Sequence, residues 1–145
     1  MKGSSRIEIN NLTRSKIDES FLQRVTKRVL TGEKKQNGAL SIALVMPKKA
    51  RELNLRYRKK NKVANVLSFP AGNDNVPRQS EEYLGEIILC PQQIKKEAKK
   101  YGIISETATA WMLIHGILHI VGYDHIKERD TKTMEQKELF YLSGL

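Results

Sequence analysis

The sequence predicts a single α/β domain, with a four-stranded mixed sheet and about five helices, one of them buried in the C-terminal half of the chain. Its length of 145 residues suits one domain with a substantial core. Short apolar or alternating runs are interleaved with longer segments whose apolar residues recur every three or four positions. The first strand, helix and strand in this order imply a right-handed parallel crossover.

Four segments have the pattern of strands: residues 6–10, 40–46, 65–70 and 84–90. The second segment is apolar at nearly every position, so we expect both of its faces to be buried and the strand to be central in the sheet. Pro47 is expected to end it. Its two faces would carry Leu40, Ile42, Leu44 and Met46 on one side and Ala43 and Val45 on the other. Residues 71–83 read as an exposed loop, and the sequence leaves open whether they join antiparallel or parallel neighbours.

Helical spacing is found in residues 18–30, 49–60, 91–101, 105–121 and 130–142. Gly32 is expected to follow the first helix as its C′ residue. Leu53 and Tyr57 are expected to pack inward from the second. The third should begin at Pro91 and end at Gly102. Its predicted buried stripe is Ile94, Ala98 and Tyr101.

The fourth helix is apolar nearly all round, with Trp111 interpreted as core, and such a helix is typically buried. Ser105 is its expected N-cap, with Glu106 in its first turn. Asp130 or Thr131 is expected to cap the last helix. The residues predicted to face inward from that helix are Met134, Leu139 and Leu142.

All three histidines of the chain lie in one window of eleven residues, at positions 115, 119 and 125. His115 and His119 are four apart and therefore project from one face of a helix. Gly122 can end that helix, and His125 can then return as a third ligand. Three imidazoles around one ion leave a fourth position open, as in a catalytic zinc site; nickel, copper and iron also accept imidazole. The alternative is a buried polar cluster.

The spacing repeats the metzincin pattern H-E-x-x-H-x-x-G-x-x-H with one departure. Gly116 stands where that pattern has its glutamate general base. Because glycine cannot take a proton from water, this departure argues against peptide hydrolysis by that route.

The formal net charge of +10 predicts a polyanionic partner, nucleic acid before membrane, although a merely lysine-rich surface is the alternative. A dense basic cluster ends the second helix: Arg56, Arg58, Lys59, Lys60 and Lys62. Cys90 is the only cysteine, so no intrachain disulfide is possible. Residues 1–5 lack the apolar core of a signal peptide, and we expect a cytoplasmic protein.

Residues 115–125, HGILHIVGYDH, resemble the signature of the YbeY family of bacterial metal-dependent endoribonucleases. Two further stretches resemble the family: residues 53–60 followed by NVLSFP at 65–70, and LGEI at 84–87. The resemblance runs from about residue 40 to the C-terminus. Glu86 stands where the family usually has aspartate, and Ala64 where it usually has threonine. These departures leave only the fine positioning of the adjoining strands open.

The resemblance implies one zinc-like ion on His115, His119 and His125, and single-strand-specific RNA cleavage. It implies work on the 3′ end of small-subunit ribosomal RNA and in ribosome quality control, with the small ribosomal subunit and assembly factors as partners. Residues 1–145 would form this one domain. Arg58 matches the family's functionally important arginine, so Arg58 and His115 are the expected catalytic residues.

In the mechanism we expect, the ion polarises a water or a phosphoryl oxygen. Arg58 holds the scissile phosphate, because a planar guanidinium offers paired donors. Lys59, Lys60 and Lys62 follow the RNA backbone. The general base is unassigned: attack by the ribose 2′-OH and by a metal hydroxide are both open. Asp124 is either an orienting partner of a ligand or a turn residue.

Ser68 could reach the site or serve only the strand. Two rival functions remain open at this point. One is a non-catalytic, metal-stabilised ribosome-assembly factor, which the basic surface supports equally well. The other is a metal-dependent peptidase, which Gly116 disfavours.

Overall fold

The computed structural model describes residues 6–72, 83–123 and 128–145 and contains four strands and five helices in that part of the chain. The strands are β1 (Arg6–Asn11), β2 (Ala39–Leu44), β3 (Val66–Pro70) and β4 (Tyr83–Leu89). The helices are α1 (Glu19–Gly32), α2 (Pro47–Arg58), α3 (Pro91–Tyr101), α4 (Ser105–Ile120) and α5 (Glu128–Ser143).

The four strands form one mixed sheet in the order β1-β2-β4-β3. β1 and β2 are parallel, as are β2 and β4, whereas β3 pairs antiparallel with β4. The predicted fold class and the parallel pairing of the first two strands are therefore confirmed. The antiparallel pairing of β3 with β4 answers the question that the sequence of the intervening loop left open.

Strand β2 lies between β1 and β4 and is buried on both faces, as its unbroken apolar run predicted. Leu40, Ile42 and Leu44 belong to the main core, with α1 and α4. Ala43 and Val45 belong to a smaller core on the other face, where Ala50 of α2 packs. Met46 differs from the prediction: it is largely exposed because the strand has ended, and it is the N-cap residue of α2.

Helix α4 is the central helix of the main core and contacts α1, α3, α5, β3 and β4. Leu113, Ile114, Ile117 and Leu118 have no solvent exposure. Burying each such side chain contributes about 1.5–3 kcal/mol relative to leaving it in water. The predicted buried helix is confirmed, and its position is set by contacts on all sides.

Several helix boundaries differ from the predictions. Gly32 is the last residue of α1 and not its C′ residue; the chain turns through Lys34, whose φ is 60°. Ser105 is the first residue of α4, and the N-cap is Ile104, which makes no side-chain cap. Helix α5 begins at Glu128, ahead of the predicted caps Asp130 and Thr131. These ends depend on loop geometry, which residue preference alone does not determine.

Three aromatic or aliphatic side chains predicted to be buried lie on the surface instead. Tyr101 is 67% exposed at the end of α3, and Leu139 is 58% exposed on α5, where Tyr141 is buried. Tyr57 is 56% exposed and packs edge-on against Phe69, with ring centroids 5.1 Å apart. Helical spacing identifies the apolar stripe of a helix, but the neighbouring elements decide how much of that stripe is buried.

Within the described segments, no single helix is long and apolar enough to cross a membrane. Helices α3 and α4 reach that length and hydrophobicity only as a pair, bent by 118°.

Candidate active site

His115 and His119 project from one face of α4 into the same cleft, as their spacing predicted. Their ring centroids are 4.9 Å apart and the ring planes are inclined by 79°. The side chain of His115 is 31% exposed, so it can be reached from solvent although the helix is buried. The two imidazoles are thus held by a rigid, packed element and open onto a cleft.

The cleft has a volume of about 510 Å³ and lies between α4, β3 and the end of α2. Arg58 lines it from α2, 57 positions before His115 in the chain. Asn65 and Ser68 line it from β3 and the turn before that strand. The structure therefore brings Arg58 and both described histidines together around one opening.

The predicted RNA-binding lysines do not line the histidine cleft. Lys60 and Lys62 line a second cleft that adjoins the first, and Lys59 lines neither of the two. Lys59 ends α2 in the left-handed conformation, with φ of 59°, and turns the chain toward β3. Of the four predicted RNA-binding residues, Arg58 alone reaches both clefts.

Glu138 of α5 is a residue of this site that the sequence analysis missed. One carboxylate oxygen accepts a hydrogen bond from the indole nitrogen of Trp111, at 2.8 Å. The other lies 2.8 Å from Nδ1 of His115. The Glu138 side chain is only 9% exposed. The single sequence signal was an acidic residue at a helical spacing of four from buried Met134.

The pKa of the Glu138 carboxyl is lowered. Burial raises this pKa, but the hydrogen bonds from His115 and Trp111 and the nearby imidazoles outweigh it. An ionised carboxylate only accepts hydrogen bonds, so Nδ1 of His115 must be the donor. In a neutral imidazole the lone pair then lies on Nε2. Glu138 thereby sets the tautomer and the ring orientation of His115, as carboxylates beside metal-ligating histidines do.

Gly116 faces strands β3 and β4. A Cβ at this position would lie 3.0 Å from Oγ of Ser68 and 3.3 Å from a methyl group of Val66. Ser68 in turn donates a hydrogen bond to the Gly116 carbonyl oxygen, at 3.2 Å. The Cβ of a glutamate in place of Gly116 would crowd these atoms of Ser68 and Val66. A Cβ at position 116 would therefore require Ser68 to shift by a few tenths of an ångström where α4 crosses the sheet.

Gly122 ends the histidine helix with φ of 116°, a conformation that favours glycine, as predicted. His125, the predicted third ligand, and Asp124 lie outside the described residues. Among residues 6–72, 83–123 and 128–145 there is no group of three or more potential metal ligands, which leaves His115 and His119 as the described pair.

Tyr123, two positions before His125, is anchored by Glu33 at the end of α1. The Tyr123 hydroxyl donates to Glu33 at 2.8 Å, Lys137 of α5 donates at 3.2 Å, and the buried Tyr141 hydroxyl also donates. Burial raises the pKa of Glu33, but these three donors outweigh it and the pKa is lowered. Burial and Glu33 raise the pKa values of both tyrosines. This cluster ties together α1, α5 and the start of the segment that carries His125.

The two departures from the family pattern lie away from the histidines. Glu86 lines a shallow apolar cleft on the sheet face that α2 covers. Ala64 lines the second, basic cleft and is nearly buried. Neither residue lines the histidine cleft.

Comparison with known proteins identifies clear relatives. The sequence profile of the family described as Endoribonuclease YbeY matches residues 7–145. The endoribonuclease YbeY of Carboxydothermus hydrogenoformans is 37% identical over 141 residues, which cover 95% of this chain and 96% of the relative. That of Cellvibrio japonicus is 33% identical over 139 residues, covering 96% and 77%. The solution structure of TM1509 from Thermotoga maritima superposes with a TM-score of 0.64 at 25% identity, covering 95% and 86%.

Proposed function

The chain belongs to the endoribonuclease YbeY family, and we propose that it is a metal-dependent, single-strand-specific endoribonuclease acting in ribosomal RNA processing. The observation that carries this proposal is the shared cleft of His115, His119 and Arg58. Two imidazoles from one rigid helix and a guanidinium from another line a single opening that solvent can enter. Such a site combines groups that hold a cation with a group that holds a phosphate.

The proposed metal ligands are His115, His119 and His125, with one ion per chain and zinc favoured by the imidazole donors. The orientation of His115 supports this assignment, because Glu138 holds Nδ1 and leaves the lone pair on Nε2. When bound, such an ion supplies Lewis-acid stabilisation of charge on phosphoryl oxygens.

The side chains of this protein would supply binding and orientation. Arg58 would bind the scissile phosphate through paired N–H donors, which a lysine could not offer. Its position at the end of α2, in the lining of the cleft that also holds His115 and His119, supports this role. Glu138 and Trp111 would keep His115 in its orientation throughout the reaction.

The proposed preference for single strands comes from the family resemblance, and the cleft has room for one unpaired nucleotide. A cavity of about 510 Å³ is of the size that encloses one small-molecule-sized group, such as a nucleotide. An unpaired strand can present its nucleotides one at a time, whereas a paired helix presents a rigid, wider surface. The net charge of +10 supports a polyanionic substrate.

We further propose that the substrate is the 3′ region of small-subunit ribosomal RNA and that the protein also serves ribosome quality control. Its partners would be the small ribosomal subunit and assembly factors, in the cytoplasm. What supports these assignments is the resemblance of residues 115–125, 53–70 and 84–87 to the family's sequences.

The decisive experiment compares wild-type protein and His115→Ala, purified side by side, on a defined unstructured RNA under single-turnover conditions. We expect cleavage by the wild type and its loss in the variant. Lys95→Ala, an exposed change on α3 away from the cleft, controls for contaminating ribonuclease introduced during purification. Equal cleavage by all three proteins would refute catalysis by this site. Tight RNA binding without cleavage would favour the non-catalytic assembly factor.

A further inference from the structure

A second cleft, of about 500 Å³, adjoins the histidine cleft and shares Arg58 and Asn65 with it. It lies between the end of α2, the turn at residues 59–65 and one side of α3. Arg58 therefore stands at the junction, with the histidines on one side and this second cleft on the other.

The second cleft is strongly basic. It is lined by five cationic residues: Arg51, Arg58, Lys60, Lys62 and Lys96. The one acidic residue in its described lining, Glu97, accepts hydrogen bonds from the side-chain amides of Asn65 and Gln93, at 2.8 and 2.7 Å. This composition suits phosphate groups, and the described lining offers no aromatic surface on which a base could stack.

The walls of the second cleft are held in place before any ligand binds. Arg51 donates through Nε to the side-chain oxygen of Asn61, at 2.9 Å. The buried Asn54 donates to the carbonyl oxygen of Lys62, also at 2.9 Å. These bonds connect α2 to the turn that carries Lys60 and Lys62. Groups held in place in this way lose less conformational freedom on binding.

We propose that the second cleft binds the sugar–phosphate backbone of the RNA strand next to the scissile phosphate, with Arg51 and Lys96 as its distinguishing contacts. The proposal rests on the proposed ribonuclease function. The strand would pass from the histidine cleft over Arg58 and continue between α2 and α3. Recognition there is by charge, so it is independent of base sequence.

The test compares two double variants of equal charge change. Arg51→Gln/Lys96→Gln removes the two distinguishing cations from the second cleft. Arg56→Gln/Lys95→Gln removes one arginine from α2 and one lysine from α3 that line neither cleft. Binding of an unstructured 20-nucleotide RNA is measured by fluorescence anisotropy on ice over a series of salt concentrations, with RNA integrity checked on a gel.

Each lost phosphate contact should reduce the slope of log K against log salt by about 0.7 for a single strand. At 0.1 M salt this corresponds to about fivefold weaker binding per contact, or about 25-fold for the cleft variant. The control variant should change affinity by less than about twofold, since Arg56 and Lys95 line neither cleft and would make no contact with a phosphate bound there. Arg51→Lys/Lys96→Arg, which keeps both charges, should retain most of the affinity.

Equal weakening by the two double variants would overturn the proposal, because it would show a general charge effect. Wild-type affinity in a cleft variant that melts like wild type would overturn it as well. Failure of the proposed function is distinguishable, since the wild type would then bind this RNA but not cleave it.

Discussion

Glu138→Gln is the sharpest test of how this site is organised, because it changes one buried atom and keeps the shape. Trp111 has only a donor to offer, so the glutamine oxygen would have to face it. The glutamine NH₂ would then face Nδ1 of His115 and require that nitrogen to accept. The proton of the neutral imidazole would move to Nε2, which could no longer ligate a metal ion.

The opposite orientation of the glutamine is also unfavourable. Its NH₂ would then meet the Trp111 N–H, two donors 2.8 Å apart in a site that is only 9% exposed. Loss of a partner at such a site costs about 1–3 kcal/mol. Neither orientation restores the hydrogen bonds of the carboxylate. The variant should therefore fold, but with His115 protonated on Nε2 or with a mobile His115 side chain.

We expect metal affinity to fall about 10–100-fold, the usual consequence of removing the carboxylate behind a ligating histidine. This corresponds to about 1.4–2.7 kcal/mol of binding free energy. The measurement is competition for zinc against a chromophoric chelator at constant pH. Glu135→Gln, an exposed change on the same helix, is the control. Unchanged affinity in Glu138→Gln, with a native melting temperature, would refute the tautomer argument.

Three other residues, Glu33, Gly116 and Arg58, give further predictions. The pKa of Glu33 is lower in the folded protein than in the unfolded chain. Its carboxylate therefore stabilises the fold at any pH above its pKa in the unfolded chain, and this stabilisation is lost as the pH falls through its pKa in the folded protein. Glu33→Gln should thus lower the melting temperature by several degrees at pH 7, and the difference should shrink progressively as pH falls below about 4; a pH-independent difference would contradict this. Gly116→Ala should destabilise by about 1 kcal/mol in urea unfolding, as crowding of about 1–3 kcal/mol against Ser68 exceeds the helix-propensity gain of about 1 kcal/mol. Gly116→Glu should prevent folding, because its carboxylate would be placed among side chains of the sheet. A stable Gly116→Glu protein would contradict this and show that the glutamate side chain reaches solvent. Arg58→Ala should lower the single-turnover RNA cleavage rate about 100-fold or more. Its melting temperature should stay near that of the wild type, because Arg58 is exposed. Retained activity would show that Arg58 contributes only surface charge.

The agreement between sequence and structure is best where an element is long and strongly patterned. Strand β2 and helix α4 were predicted because their apolar runs are unbroken, and a segment without a polar face must be buried on every side. The errors at Tyr101 and Leu139 occur on amphipathic helices near their ends. There the apolar stripe is wider than the surface that the neighbouring elements cover.

The sequence by itself determined the local elements and the pairing of His115 with His119, because the helical repeat places residues four apart on one face. The expectation that Arg58 belongs to the site came from family resemblance, and its position beside the histidines required the fold. Only the tertiary structure decided that Glu138 holds His115, that a side chain at position 116 would crowd Ser68, and that Arg51 and Lys96 line one basic cleft. These contacts join residues far apart in the chain, and no local periodicity records which helix packs against which.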